Sequence, residues 1–380
     1  MLRRLFLLML ATLLSGLSVA SAWADPPVRG KPVDLVICLD CSNSMDGLID
    51  SAKRKLWDIV NDFGRAKPTP FLRVALYSYG NDTYTPSNGW VRQEVGLTTD
   101  LDKVSEKLFG LRTQGGTEYV ARVSQAALRE LDWSKDTGAF KVIFVCGNEP
   151  ADQDPEVKLA SLAETAARQN VTINTIYCGP RNHAEAAGWK FLAERAEGKF
   201  MAIEQDSAHV VIAAPQDKRL ADLSSKLNST YVFYGAERSS KMANQSVQDV
   251  NALGGGGRGG LSSAASRGIA KASGNYQMTD SDLVDRFQAD PKLDFSKLPD
   301  NELSDDFKKL SPEERKRHVE KKLAEREEIK KEINQLSKDR AEYLSAEQKK
   351  QNKKGEATLD EAVRGVIREQ SAKKGIDIPK

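Results

Sequence analysis

Val33-Asp34-Leu35-Val36-Ile37-Cys38-Leu39 leads directly into Asp40-Cys41-Ser42-Asn43-Ser44, and this segment says most about the chain. The first part is almost wholly apolar, which is typical of a strand covered on both faces of a sheet. Asp40, Ser42 and Ser44 follow at alternating positions, and alternate side chains of extended backbone point the same way. A carboxylate and two hydroxyls are therefore expected to converge where the strand ends. Such hard oxygen donors suit magnesium, manganese or calcium, and not zinc.

The residues after this loop predict an α/β fold. Apolar side chains recur at three- and four-residue spacing from Met45 to Phe63, which indicates an amphipathic helix, and strand and helix patterns then alternate to about Gln205. This alternation predicts a doubly wound, mostly parallel six-stranded sheet with helices on both faces. The oxygen cluster would lie at a strand-to-helix turn, where such sheets place their ligands. Further strands are predicted at Leu72–Tyr79, Trp90–Leu97, Phe140–Cys146, Val171–Cys178 and Lys199–Ile203, and helices at Asp100–Leu108, Glu118–Leu131, Pro155–Gln169 and Ala184–Ala196.

The loop at Asp40 resembles the first element of the metal-ion-dependent adhesion site of von Willebrand factor type A domains, Asp-x-Ser-x-Ser. A later Gly115-Gly116-Thr117 resembles the second element. The resemblance covers about half of the chain and implies a Rossmann-like fold over residues 30–207. It also implies a divalent cation, with Mg²⁺ expected first and Mn²⁺ or Ca²⁺ as alternatives. The ligands that it implies are Asp40, Ser42, Ser44 and Thr117.

The third element of that site departs from the family pattern. The family places an Asp in a Thr-Asp-Gly turn after the fourth strand, whereas this chain has Cys146-Gly147-Asn148-Glu149-Pro150. Asn148, Glu149 or a water is left to take that place, and Glu149 is included in the predicted ligand set.

Two other chemistries share the first loop. Asp40 as an aspartyl nucleophile of a phosphatase would need a second acid two residues on, where Ser42 stands. Cys38 and Cys41 have the spacing of a redox pair, but such pairs open a helix, whereas Cys38 lies within the predicted strand. Both alternatives are weaker than the metal loop.

The amino-terminal residues predict export. Arg3 and Arg4 precede an apolar core from Leu5 to Leu17 and small residues up to Ala24, as in a secretory signal peptide cleaved after residue 24. A retained membrane anchor is the alternative. No other stretch is long and apolar enough to span a bilayer, so a periplasmic or secreted protein is expected.

Composition argues against several functions. A net charge of +2 gives no reason to expect a nucleic-acid partner. Three His and four Cys without metal-like spacing argue against zinc hydrolase chemistry. The sequence offers no nucleophile–base pair, phosphate loop or cofactor fingerprint, so no enzymatic activity is predicted.

The carboxyl-terminal half has a different character. Residues 208–300 contain Gly254-Gly255-Gly256-Gly257-Arg258-Gly259-Gly260, which predicts a partly ordered linker that cannot lie within a regular element. Residues 301–380 are highly charged, and Ser311-Pro312-Glu313-Glu314 predicts a helix start. A second helix, from Leu359 to about Ala372, could fold back on the first. The first helix has a narrow coiled-coil-like stripe that is interrupted by two arginines, so we expect it to dock or self-associate, with a solvated single helix as the alternative. The stripe consists of Val319, Leu323, Arg326, Ile329, Ile333, Leu336, Arg340 and Tyr343.

An oxidising compartment predicts disulfide bonds. If strands one, four and five are adjacent, as in nucleotide-binding α/β folds, then Cys146 and Cys178 end neighbouring strands. We expect a Cys146–Cys178 bond, with Cys41–Cys146 as the second choice. Cys38 should point into the core.

Two interpretations of function follow. The resemblance implies an exported binding module whose metal engages an acidic residue of a protein partner. Alternatively, the metal site is degenerate and the chain is a scaffold that acts through its carboxyl-terminal helices. A hydrolase is a third and weakly supported alternative.

Overall fold

The computed structural model describes residues 30–203, 212–254, 257–351 and 359–379. The predicted signal peptide, residues 1–24, lies outside them. We call residues 30–203 the sheet domain and the described residues between 212 and 351 the helical region. No helix in the described segments is long and apolar enough to cross a membrane.

The sheet domain contains one six-stranded sheet with the order β3-β2-β1-β4-β5-β6. All neighbouring strands are parallel except β2 and β3. The predicted doubly wound fold is therefore confirmed. The strands are β1 Pro32–Asp40, β2 Phe71–Tyr79, β3 Val91–Thr98, β4 Phe140–Gly147, β5 Thr172–Cys178 and β6 Phe200–Ile203.

Helices cover both faces of the sheet and make up most of the described chain after β6. Those of the sheet domain are α1 Asp46–Arg65, α2 Leu101–Gly110, α3 Val120–Glu130, α4 Leu159–Arg168 and α5 Ala186–Arg195. Those that follow are α6 Asp217–Asn228, α7 Arg238–Leu253, α8 Gly257–Ala272, α9 Leu283–Ala289, α10 Asp305–Lys308, α11 Pro312–Gln351 and α12 Leu359–Lys373. Short 3₁₀ turns lie at Asn43–Met45, Pro86–Asn88, Phe295–Lys297 and Asp300–Glu302.

Strand β1 is buried on both sides, which explains its apolar sequence. Leu35 and Leu39 pack with α1 and α2 in one core cluster, and Val36 and Cys38 pack with α3 and α4 in another. Asp34 is fully buried, and its carboxylate accepts hydrogen bonds from Nε and Nη2 of Arg73 at 2.8 and 2.9 Å. The central position of β1 puts Asp40 at the carboxyl edge of the sheet.

The four cysteines are unbonded in the structure, so it does not contain the predicted Cys146–Cys178 bond. Strands β4 and β5 are neighbours, but Cys146 is opposite Ile176, so Cys178 lies two residues farther along. Strand spacing and rise put such diagonal Cα atoms about 8 Å apart, beyond the roughly 7 Å that a disulfide spans. Cys41 is displaced from Cys146 in the same way, because Leu39 is the partner of Cys146. Burial raises the pKa of all four thiols.

The interpretation of residues 208–300 as a partly ordered linker is wrong for the residues described. Helices α6 to α9 occupy them, and their side chains form two buried apolar clusters. The glycine tract also does not stay outside regular structure, because α8 begins at Gly257. Gly260 packs so closely on α7 that a Cβ there would clash with the carbonyl oxygen of Leu253. Glycine at position 260 therefore allows α8 to approach α7 closely, because it has no Cβ.

Helix α11 begins as the sequence predicts. The Ser311 hydroxyl accepts from the Glu314 amide at 3.3 Å, and the Glu314 carboxylate accepts from the Ser311 amide at 2.8 Å, which is a capping box. The apolar stripe docks within the chain, since Val319, Ile329 and Ile333 are buried against α6, α8 and α9.

Helix α12 packs on the sheet domain and does not pair with α11 as a coiled coil. Val363 and Ile367 join the core cluster that contains α1. The side-chain amides of Gln370 and Asn174 exchange hydrogen bonds of 2.9 and 2.7 Å. The end of the described chain therefore helps to cover one face of the sheet.

Candidate metal site

Four loops meet at the carboxyl edge of the sheet. Backbone hydrogen bonds tie the loop after β1 to the loop before α3, from the Asn43 amide to the Gly115 carbonyl at 2.8 Å and from the Gln114 amide to the Cys41 carbonyl at 2.9 Å. The Asp82 amide, after β2, donates to the Gln114 carbonyl at 3.1 Å. These bonds fix the loops relative to one another before any ligand is considered.

Two carboxyl groups lie buried at the centre of this edge. Asp40 is fully buried and Glu118 is 6% exposed. The Asp40 Oδ1 accepts from the Ser42 amide at 2.8 Å. Asp40 Oδ2 and Glu118 Oε2 are buried and have no hydrogen-bond partner. An unsatisfied buried carboxylate oxygen is costly, so these two atoms mark a site that is incomplete by itself.

The electrostatics agree with that description. Burial is the largest cause that raises the pKa of both Asp40 and Glu118, and their mutual contact and the charge of Glu149 raise that of Glu118 further. The hydroxyl of Ser42 favours the charged form of both acids and opposes these shifts in pKa. No Lys or Arg in the described chain forms an ion pair with either group. Two buried acids without a basic partner favour a bound proton or a bound cation.

Hydroxyl and amide groups complete the set of oxygens. The Oγ atoms of Ser42 and Ser44 are 3.1 Å apart, and Asn148 Nδ2 donates to Ser44 Oγ at 3.0 Å. Asn148 Oδ1 is buried without a hydrogen-bond partner. The loop after β4 is thereby joined to the loop after β1 through side chains.

Two glycines allow this close approach. Gly80 has φ +76°, and a Cβ there would lie 2.7 Å from Asp40 Oδ1 and 2.9 Å from Glu118 Cγ. Gly116 has φ +155°, and its Cβ would lie 3.0 Å from Glu118 Oε1 and 3.1 Å from Ser42 Cβ. A side chain at either position would be strained and would fill the space beside the two acids.

The structure brings most of the predicted residues to this edge. Asp40, Ser42 and Ser44 lie together, and Thr117 is half-buried in the adjacent loop, next to Glu118. Glu149 differs, because its side chain is exposed at the rim and its described hydrogen bond is the one its carbonyl accepts from Trp189 Nε1 at 2.8 Å.

Sequence reasoning missed the part that Glu118 plays. The pattern assigned Glu118 to the first turn of a helix, but α3 begins at Val120 and Glu118 belongs to the loop. Its position immediately after Gly115-Gly116-Thr117 is the signal that could have identified it. Asn148 was one of the alternatives for the third element, and the structure puts its amide in direct contact with Ser44.

The donor set fits a hard divalent cation. It consists of carboxylate, hydroxyl and amide oxygens, the ligands that Mg²⁺, Mn²⁺ and Ca²⁺ prefer, and three of these oxygens are buried and unpartnered. Within the described residues no three His, Cys, Asp or Glu side chains form a metal-ligating group. The two buried acids at this site are Asp40 and Glu118, and the other oxygens described are neutral.

An open α/β sheet with an oxygen-rich site at the carboxyl end of its first strand defines the class of this domain. The family model of the von Willebrand factor type A domain matches residues 34–214, and this part of the chain is a von Willebrand factor type A domain.

Solved structures with a similar chain path were also found. Proximal thread matrix protein 1 from the mussel byssus is 14% identical over 46% of this chain and 42% of its own, with a TM-score of 0.36. The same mussel protein "with zinc occupied MIDAS motif" gives 14% identity, 47% and 43% coverage and a TM-score of 0.38. The SpRpn10 VWA domain is 16% identical over 47% of this chain and 90% of its own, with a TM-score of 0.36. The match thus spans less than half of the mussel protein. No curated protein matches the sequence.

Proposed function

We propose that this protein is an exported binding module that engages a protein partner through a divalent cation at the carboxyl edge of its sheet. One observation carries the proposal: Asp40 Oδ2, Glu118 Oε2 and Asn148 Oδ1 are buried at the meeting loops without hydrogen-bond partners. A bound cation would satisfy atoms that the chain itself leaves unsatisfied.

Asp40, Ser42, Ser44 and Thr117 are the residues proposed to hold the cation. Mg²⁺ is the expected ion, with Mn²⁺ and Ca²⁺ as alternatives, because the donors are hard oxygens. A hard cation that keeps one coordination position open attracts a carboxylate, so the proposed partner offers an acidic side chain. Export to a periplasm or the cell exterior is part of the proposal and rests on residues 1–24.

Thermal unfolding tests the metal. Because a ligand that binds the folded state stabilises it by RT ln(1 + [L]/Kd), an ion at 100 times its Kd should raise the unfolding free energy by about 2.7 kcal/mol. Asp40→Ala should abolish this shift, and Asp50→Ala, at an exposed position on α1, should leave it intact. A wild-type melting temperature that millimolar Mg²⁺, Mn²⁺ and Ca²⁺ leave unmoved would exclude the metal site.

Capture from a periplasmic extract tests the partner. Wild-type protein should retain its partner in Mg²⁺ and lose it in EDTA, and Asp40→Ala should retain nothing in either buffer. Retention that is equal in all of these conditions would contradict a metal-mediated contact.

One surface favours the scaffold alternative. Helix α7 buries the polar side chains of Gln245 and Gln248 but exposes apolar ones. The exposed fractions are 54% for Met242, 52% for Val247 and 67% for Val250. Metal-independent capture that Val250→Asp removes and Asp40→Ala does not would support this second function.

A further inference from the structure

Glu118 differs from the other buried acids of the described chain. Asp34, Asp62, Asp102, Asp154, Asp217, Asp282 and Asp285 are also buried, and each forms an ion pair with at least one arginine. Asp40 and Glu118 are the two buried acids of the described segments without such a pair. Chains seldom bury a carboxyl group without a partner, so a missing positive charge is expected between these two.

The contacts of Glu118 point to the same place as those of Asp40. A Cβ at Gly80 would lie 2.9 Å from Glu118 Cγ and 2.7 Å from Asp40 Oδ1, and a Cβ at Gly116 would lie 3.0 Å from Glu118 Oε1. Glu118 Oε2 is buried and unpartnered, and so is Asp40 Oδ2. Two separate loops thus each leave one carboxylate oxygen without a partner at the same edge of the sheet.

The position after β4, where sequence reasoning looked for the second acid, is built differently. Glu149 is exposed and affects Asp40 and Glu118 through charge without a hydrogen bond. Asn148, which precedes it, contributes an amide and no charge. The second negative charge in contact with Asp40 is therefore that of Glu118.

We infer that Glu118 is the second carboxylate ligand of the cation site, provided from the loop before α3 in place of an acid after β4. This inference rests on the proposed function, since it concerns the same cation. In this arrangement Asp40 and Glu118 provide the two carboxylates, Ser42 lies beside them, and Glu149 remains at the rim.

The test compares two substitutions of the same kind, Glu118→Gln and Glu149→Gln, in the full-length chain. Isothermal titration measures the affinities for Mg²⁺, Mn²⁺ and Ca²⁺, and thermal unfolding with each ion and in EDTA gives a second readout. Glutamine has the size of glutamate, and its amide can donate to Asp40. We therefore expect Glu118→Gln to melt no lower than wild type in EDTA, which shows that it folds.

The expected result is a 10- to 100-fold weaker affinity for Glu118→Gln, with loss of most of the metal-induced melting shift. Glu149→Gln should stay within about threefold of wild type, because its side chain is outside the site. If wild type binds the cation and the affinity of Glu118→Gln is within threefold of the wild-type affinity, the inference is overturned and the metal site itself stands. A wild type that binds none of the three ions would overturn the proposed function as well, so the two failures are distinguishable.

Discussion

The carboxyl edge of the sheet and the helical region both bury charged side chains, but they balance those charges differently. In the helical region Arg267 lies between Asp102 of α2 and Asp249 of α7, at 2.6 and 2.5 Å. Arg326 of α11 lies 2.7 Å from both Asp282 and Asp285. At the carboxyl edge of the sheet, by contrast, no basic residue of the described chain pairs with the buried acids.

This difference separates a structural use of buried charge from the functional use that we propose. A buried ion pair contributes little net stability, but loss of one partner is expensive because it leaves the other charge unpaired. The helical region therefore depends on its own arginines to dock against the sheet domain. The edge of the sheet leaves negative oxygens unpaired, and a cation from solution would take the place that arginine takes elsewhere.

The largest predicted effect comes from converting a paired site into an unpaired one. Arg326→Ala should lower the unfolding free energy by about 3–5 kcal/mol, because it leaves Asp282 and Asp285 buried without a positive charge. Urea denaturation measures this loss. Lys331→Ala removes an exposed ion pair on the same helix and should change stability by less than about 1 kcal/mol. Equal effects of the two substitutions would show that α11 is not docked as described.

Lys271 predicts a pH dependence within the helical region. Its ammonium is fully buried among Asp249 of α7, Arg267 of its own helix and Asn228 of α6, with Asp102 of α2 nearby. Burial lowers the pKa of Lys271 to about 8, below the ordinary value near 10.4. The unfolded chain therefore binds more protons between these values, and the unfolding free energy should rise with pH there.

The contribution of Lys271 to that slope is at most about 1.4 kcal/mol per pH unit. Lys271→Met should remove this contribution. The unfolding free energy of wild type should therefore increase relative to that of the variant as the pH rises from 8 to 10. Urea denaturation at pH 7, 8, 9 and 10 measures both slopes. Parallel curves would show that Lys271 keeps an ordinary pKa in the folded protein.

The sheet domain could be predicted from sequence because its signals are local. Continuous apolar strands, periodic helices and the loop from Asp40 to Ser44 each lie within a short window. The position of Cys178 relative to Cys146 could not be predicted, since register depends on how two distant strands align. Glu118 was missed for a related reason, because its burial depends on contacts with the loops after β1 and β2.

Helices α7 and α8 were missed because their packing is polar where helix patterns are expected to be apolar. Gln245, Gln248, Arg267 and Lys271 all occupy buried positions and interrupt the apolar period of α7 and α8. Arg326 is one of two charged residues in the otherwise largely apolar stripe of α11, and it pairs with two buried acids. Such positions can be recognised only when their partners are known.

A smaller effect is predicted at the edge of the sheet. Gly80→Ala should cost about 1–2 kcal/mol, because φ +76° lies in the left-handed region that disfavours a side chain. The added methyl group also presses on Asp40 and Glu118, so the variant should bind the cation more weakly. Calorimetric unfolding and metal titration measure the two effects. Gly110→Ala, at a position with open space around it, is the control and should retain wild-type metal affinity.

The smallest predicted effect is a gain in stability, and it tests how the two regions are joined. Gly365 is exposed within α12, with nothing within 4 Å of an added Cβ. Its neighbours Arg364 and Arg368 both pair with the buried Asp62 of α1, which holds the helix on the sheet domain. Gly365→Ala should therefore raise the unfolding free energy by about 0.5–1 kcal/mol through helix propensity. If α12 is not helical, or if it unfolds before the rest of the protein, the substitution should leave the free energy of global unfolding in urea unchanged. A measured gain would show that α12 folds as one unit with the sheet domain. The carboxyl-terminal helix would then belong to the same cooperative unit as the sheet, although the helical region separates the two in the sequence.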